Sequence, residues 1–78
     1  MGKYTPQRTL DCRGDACPVP LLKTKKAMAD LNSGDILEVV GTDAGSKNDM
    51  PGYATRTGNL YLGEEEEGEV FHFYLQKK

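Results

Sequence analysis

With 78 residues, ten basic and twelve acidic side chains and a formal charge of −2, the chain has the size of a single domain, residues 1–78. At this length only roughly sixty per cent of the unfolded surface is buried, which leaves little room for an enclosed substrate cavity and places any site on the surface. The acidic balance offers no general attraction for phosphate backbones and argues against nucleic acid as a partner. No apolar run is long enough to span a bilayer, and Met1 to Pro6 lacks the hydrophobic stretch of a signal peptide, so a cytoplasmic protein is expected. The two cysteines, Cys12 and Cys17, are too few for a disulfide framework and are not spaced as Cys-x-x-Cys. The single histidine, His72, lies far along the chain from both, so the ligands of a metal site are not assembled and no metal or other cofactor is expected.

Along the chain, Thr9-Leu10-Asp11-Cys12 alternates with Leu10 and Cys12 in phase, which predicts a first strand. Arg13-Gly14-Asp15-Ala16 then turns the chain. From Pro18 to about Leu31, Leu21, Thr24, Ala27, Met28 and Leu31 recur at helical spacing opposite Lys23, Lys26 and Asp30. Asn32-Ser33-Gly34-Asp35 closes this helix, with Gly34 read as the left-handed residue after its last turn. Ile36-Leu37-Glu38-Val39-Val40, nearly all apolar and β-branched, suits a strand in the middle of a sheet. Gly41 to Gly45 reads as a loop. Ser46 and Asp49 resemble a capping box for a second helix that runs through Met50, Tyr53, Ala54 and Thr57 to Gly58, with Pro51 expected to make its start irregular. Asn59 to Leu62 and Val70 to Leu75 alternate and predict two more strands. Between them the self-repelling run Gly63-Glu64-Glu65-Glu66-Glu67-Gly68 reads as an exposed hairpin loop, either simply solvated or a docking site for a basic partner.

This order, βαβαββ, predicts an α/β two-layer sandwich. Right-handed crossovers place both helices on one sheet face and leave the other to solvent or a partner.

Cys17 is the candidate catalytic residue. Proline is favoured at the first helical position, so Cys17 before Pro18 is expected at the N-cap, where free amides and the dipole favour an anionic sulfur. Pro18 and Pro20 stiffen the segment by fixing their own φ and restricting the residues before them. An unperturbed thiol is only a few per cent thiolate at neutral pH, so this placement would convert a weak nucleophile into a useful one. The competing reading is a small buried packing residue that happens to precede a helix. Arg13, Lys25 and Lys26 are the cations nearest in sequence that could attract an anionic sulfur donor. Cys12 lies on the core side of its strand; it either packs there or resolves a modified Cys17 as a disulfide. His72 is expected to project from the last strand into solvent.

Taken together, Leu10-Asp11, Gly14, Cys17-Pro18-x-Pro20, Gly34-Asp35 before a strand, Thr42-Asp43 and Asp49-Met50-Pro51 resemble the TusA family of small sulfur carriers, which includes SirA-like and YeeD-like members. The resemblance runs from about Thr9 to the C-terminus. It implies two helices on a four-stranded mixed sheet, and a sulfurtransferase activity in which Cys17 receives sulfane sulfur as a persulfide and passes it on. The partners it implies are rhodaneses, cysteine desulfurases or DsrE-like proteins. For the YeeD-like branch they are thiosulfate itself and a YeeE-type membrane transporter, with recruitment to the inner membrane. Many members carry a histidine just after the second helix, where this chain has Asn59, so the branch stays open. Two other classes of function stand beside this one: a regulatory or adaptor module that binds a protein through its open sheet face, with Cys17 structural, and a redox sensor using Cys12 with Cys17.

Overall fold

The computed structural model describes residues 4–16 and 18–78. Its elements are β1 (Arg8–Cys12), α1 (Val19–Ala29), β2 (Ile36–Gly41), α2 (Ser46–Thr57), β3 (Leu60–Glu67) and β4 (Val70–Gln76). The strands form one sheet in the order β1-β2-β4-β3, with β1 and β2 parallel and the other pairs antiparallel. The expected mixed α/β sandwich of order βαβαββ is the architecture found.

Register explains why the sheet has one apolar face. Val39 lies between Leu10 on β1 and Phe73 on β4, Leu37 is flanked by Leu75, and Gly41 stands between Cys12 and Phe71. Because side chains alternate at period two, this pairing puts all of them on the side that receives the helices. Ala27 and Met28 of α1 and Met50, Tyr53 and Ala54 of α2 complete the cluster. A fully buried Leu, Val, Phe or Met contributes about 1.5–3 kcal/mol by leaving water. Thr24, itself buried, ties the two helices by directing its hydroxyl to the Met50 sulfur at 3.7 Å.

Local details depart from expectation in four places. Helix α1 ends at Ala29 with Asp30 as its C-cap in αR, so Gly34 is not its capping residue. Gly34 instead has φ +91° in the following turn, where its N–H donates to the Lys77 carbonyl at 2.9 Å and joins the turn to the end of β4. The capping box does not form: Gly45 is the N-cap of α2, and Ser46 is its buried first residue. Tight i to i+3 bonds from Ser46, Lys47 and Asn48 to Asp43, Ala44 and Gly45 start the helix instead. Pro51 sits inside a helix that is continuous from Ser46 to Thr57, rather than ending an irregular lead-in, while Gly58 caps it in αL with φ 77° as expected.

The largest departure is in the acidic run. Glu64 to Glu67 belong to β3 and pair with Phe73, His72, Phe71 and Val70, leaving only Gly68 and Glu69 as the turn. Gly68 has φ 63° and is followed by a residue of negative φ, the signature of a II′ hairpin turn. Like charges are tolerated here because β3 is an edge strand whose side chains alternate to opposite faces. Glu66 reaches Lys47 on the helix side at 3.3 Å, and Glu65 lies beside Tyr74 on the other. A register shift between Tyr61 and Gly63 marks a bulge that sets this phase.

The sheet face away from the helices is partly covered by the chain itself. Tyr4 packs its ring 5.2 Å from that of Tyr74 and donates its hydroxyl to the Leu62 carbonyl at 2.9 Å. Tyr74 is 3% exposed and donates to Glu38 at 3.2 Å. Burial, then the Glu38 carboxylate, pushes its phenol from 10.0 up to about 12. Since the folded value lies above the unfolded one, this contribution is complete below pH 10 and is lost as the pH rises through about 12. Tyr61, raised by burial and by Glu64, acts in the same direction. Alkaline unfolding followed by circular dichroism is therefore expected to steepen above pH 10, and Tyr74→Phe to make that fall shallower. An unchanged pH dependence in Tyr74→Phe would contradict this assignment.

Candidate functional site

Where β1 ends, the chain is bent back toward α1 by a short series of backbone bonds. The Asp15 N–H donates to the Cys12 carbonyl at 3.1 Å, across a turn whose third residue, Gly14, has φ +84°. That position demands glycine in a type II turn. The Gly14 N–H donates to the Thr42 hydroxyl at 3.0 Å, which pins the turn to the loop following β2. The Ala16 carbonyl then accepts the Val19 N–H at 2.9 Å as α1 begins. Cys17, the candidate nucleophile, falls between these anchors but lies outside the described residues. Its neighbours Ala16 and Pro18 are both exposed.

Helix α1 starts one residue later than expected. Pro18 is the N-cap with φ −99° and ψ 17°, Val19 is the first helical residue, and Pro20 is the buried second. The Cys17 position therefore precedes the cap instead of occupying it. The expected supply of free amides is also reduced. Pro18 and Pro20 have no N–H, and Val19 has given its own to Ala16. The prolines set the backbone of the segment but remove donors from it; the helix dipole still favours negative charge there.

The cations nominated from sequence are distributed unevenly. Arg13 turns back onto Asp11, with Nε and a terminal nitrogen on the two carboxylate oxygens at 3.0 and 3.1 Å, while its backbone N–H also reaches Asp11. The Arg13 side-chain bond, more than any other influence, lowers the Asp11 carboxyl to about 2. Lys25 and Lys26 are exposed along α1, and Lys26 borders a shallow depression of about 340 Å³ with Lys23, Asp11 and Asp30. Lys23, which its helical spacing had assigned only to the solvent face, is the lysine joined to this turn: its ammonium meets the Asp15 carboxylate. Asp15 was not a candidate either. No periodic rule links residues eight apart across a turn, so the pair had no signal in the sequence.

Cys12 is 0% exposed, and burial pushes its thiol pKa up, keeping it protonated. It packs in the core opposite Gly41 rather than at the surface. On the far sheet face, His72 is less solvated than expected. Its Nδ1 lies 2.8 Å from Glu38, whose carboxylate also accepts from Thr9 at 3.1 Å and from Tyr74 at 3.2 Å. Among the described residues no cluster of His, Cys, Asp and Glu is arranged to hold a metal ion. Nor is any helix among them long and apolar enough to cross a membrane.

Comparison with known proteins matches residues 8–77 to the family model described as Sulfurtransferase TusA. The sulfur carrier protein TusA of Allochromatium vinosum is 43% identical over 68 residues, 87% of this chain and 90% of that protein. YrkI of Bacillus subtilis is 46% identical over 70 residues, 90% of this chain and 93% of YrkI. YrkF of the same organism is 50% identical over 68 residues, 87% of this chain, but the match spans only 37% of YrkF's length. Among solved structures, a SirA-like protein from Desulfitobacterium hafniense superposes with a TM-score of 0.76 at 28% identity, covering 88% of this chain and 95% of the other.

The buried, protonated state of Cys12 has a direct consequence for thiol counting. Native protein treated with iodoacetamide is expected to lose one thiol quickly, with Cys12 reacting only after unfolding. Cys12→Ala should lower stability by about 1 kcal/mol, on the scale of one buried methylene-sized group, and leave the fast reaction unchanged. Fast labelling that maps to Cys12 would refute its role as a packing residue.

Proposed function

The chain belongs to the TusA family of sulfur carriers, and on that footing we propose that it takes sulfane sulfur onto Cys17 as a persulfide and relays it from a donor protein to an acceptor protein. The observation that supports this reading is how the residues flanking Cys17 in the chain are anchored. An exposed segment is tied at one end to β1 and the β2–α2 loop through Cys12 and Thr42, and is held at the other by the start of α1. A carrier needs a sulfur that a second protein's active site can reach, and a surface turn with a set backbone presents one without a cavity.

In the first half of the cycle the Cys17 thiolate attacks the outer sulfur of a donor persulfide. The donor's S–S bond breaks, its inner sulfur leaves as a thiolate with the bonding pair, and Cys17 carries Cys–S–S⁻. In the second half an acceptor thiolate attacks that outer sulfur and releases the Cys17 thiolate. The exchange is isoelectronic and needs no external oxidant or reductant. Rhodaneses, cysteine desulfurases and DsrE-like proteins are donors and acceptors of fitting chemistry. Free thiosulfate is the second candidate donor, with sulfite as the leaving group; in that case a YeeE-type transporter would be its source. A protein-borne persulfide is favoured, because Arg13 and Lys23, the cations joined to this turn, already carry the carboxylates of Asp11 and Asp15. A small dianion would have to compete with both.

Intact-mass measurement after incubation with a sulfur-loaded rhodanese is expected to show a gain of one sulfur atom, removed by a thiol reductant and absent from Cys17→Ser. Thiosulfate alone should load far less. No adduct on the wild type, or an equal adduct on Cys17→Ser, would end this reading; efficient loading by thiosulfate with release of sulfite would make the small molecule the donor.

A further inference from the structure

The sheet face away from the helices sets the chain's single histidine among carboxylates from two other strands. A depression of about 400 Å³ there is lined by Glu38, Glu65, Glu66, Glu67, His72 and Tyr74. Hydrogen-bond directions fix how His72 stands in it. Glu38 accepts the Thr9 hydroxyl at 3.1 Å and the Tyr74 hydroxyl at 3.2 Å, and its Oε2 is 2.8 Å from His72 Nδ1. An ionised carboxylate only accepts, so Nδ1 carries a hydrogen. A neutral imidazole has one N–H, which leaves Nε2 bare, 3.8 Å from the Glu67 carboxylate. In that state two acceptors face each other, and the negative charges of Glu38 and Glu67 flank an uncharged ring. The other polar groups around the ring are occupied or exposed. Glu65, opposite His72 on β3, lies 3.5 Å from the Tyr74 hydroxyl, Glu66 is turned to Lys47, and Asp11 of β1 is paired with Arg13. Glu69 is exposed in the turn beyond, and Tyr4, packed on Tyr74, gives its hydroxyl to the Leu62 carbonyl. Tyr74, on β4 itself, keeps its proton until the pH approaches about 12.

We propose that His72 is a proton-operated clasp for the edge of the sheet: neutral, it is tied to Glu38 alone, and on taking a proton at Nε2 it also binds Glu67, fastening the hairpin end of β3 to β2 through β4. The Glu67 side chain is 80% exposed, so its rotation can close the 3.8 Å gap to a hydrogen bond. Glu38 is 16% exposed and held by two hydroxyls, so it stays in place and orients the ring. The moving partner is therefore the one on the edge strand. Because the closed clasp needs a charged ring, it is present at low pH and lost as the pH rises through the titration of the ring. Histidine ordinarily changes charge between about pH 5 and 8, where carboxylates remain ionised. Glu67 pairs with Val70 beside the Gly68–Glu69 turn, so the end of the hairpin is what opens and closes. The clasp is built from β2, β3 and β4 and is independent of the role of Cys17.

Nuclear magnetic resonance of the untagged, isotope-labelled protein tests this, since the ring signals of a single histidine need no separation from others. On the alkaline side of the ring's titration the nitrogen shifts are expected to show a hydrogen on Nδ1 and a bare Nε2, and on the acid side a hydrogen on both. Amide-exchange protection at the hairpin end, residues 66–71, is read against the amides of the β1–β2 pair. It is expected to rise about threefold when the ring is protonated, the scale of one largely exposed ion pair. Glu67→Ala, a change at an exposed side chain, should abolish that gain and leave the neutral ring's hydrogen on Nδ1. Glu65→Ala should keep the gain, which separates a clasp on Glu67 from a general effect of acidic charge. A neutral ring with its hydrogen on Nε2, no gain in the wild type, or an equal gain in Glu67→Ala would overturn the proposal. So would loss of the gain in Glu65→Ala.

Discussion

Strands β1 and β2 run parallel, and a parallel pair cannot be joined by a tight turn. The chain has to leave the end of β1, cross over the sheet and return to the start of β2, and α1 is that crossover. The start of α1 is therefore held beside the carboxyl end of β1, with only Arg13 to Pro18 to make the connection. The short link is anchored to Cys12, to Thr42 beyond the end of β2, and within itself from Ala16 to Val19. The segment that holds the candidate nucleophile is thus at the carboxyl end of the parallel pair, a place where connections are exposed and backbone groups converge.

The chemistry available there reflects a trade between stiffness and hydrogen-bond donors. Two prolines within three positions set the backbone, and for that reason the first residues of α1 cannot line up amides toward an anion. Charge is handled by side chains instead, in the matched pairs Asp11 with Arg13 and Asp15 with Lys23. Val19 and Leu22 stand exposed on the same opening turns of α1, so the rim of the segment combines neutralised charge with apolar surface. Such a rim suits contact with a protein better than capture of a small, highly charged ion.

On the opposite side of the sheet a different economy holds. Glu38 sits on a central strand, where an unpartnered carboxylate would be costly, and it is satisfied by Thr9, His72 and Tyr74 from β1 and β4. Tyr4 then covers Tyr74. This network links β1, β2 and β4 on the face away from the helices.

Much of this was readable from residues in order. The nearly continuous apolar, β-branched run Ile36 to Val40 identified a central strand, helical spacing identified both helices, Gly58 marked the end of the second, and Cys17-Pro18-x-Pro20 in its context nominated a candidate site. The family assignment followed from that motif in its context. Each of these signals is local: a period, a cap, or a proline beside a cysteine. Where local rules compete with distant partners, only the folded chain decides. Glu64 to Glu67 repel one another as a peptide, yet they form a strand because β4 offers a ladder and Lys47 and Tyr74 receive alternate side chains. Ser46 and Asp49 have the form of a capping box, but the core takes Ser46 as a buried first residue. The partner of Lys23 could not be read from its helix, since Asp15 reaches it only when the crossover folds the turn back onto α1. Sequence by itself nominated Cys17 as the candidate nucleophile, through the short-range backbone restrictions of its neighbouring prolines. Tertiary structure decided how the charges of the turn before α1 pair, Asp15 with Lys23 among them, because electrostatic neighbours depend on distance in space and not along the chain.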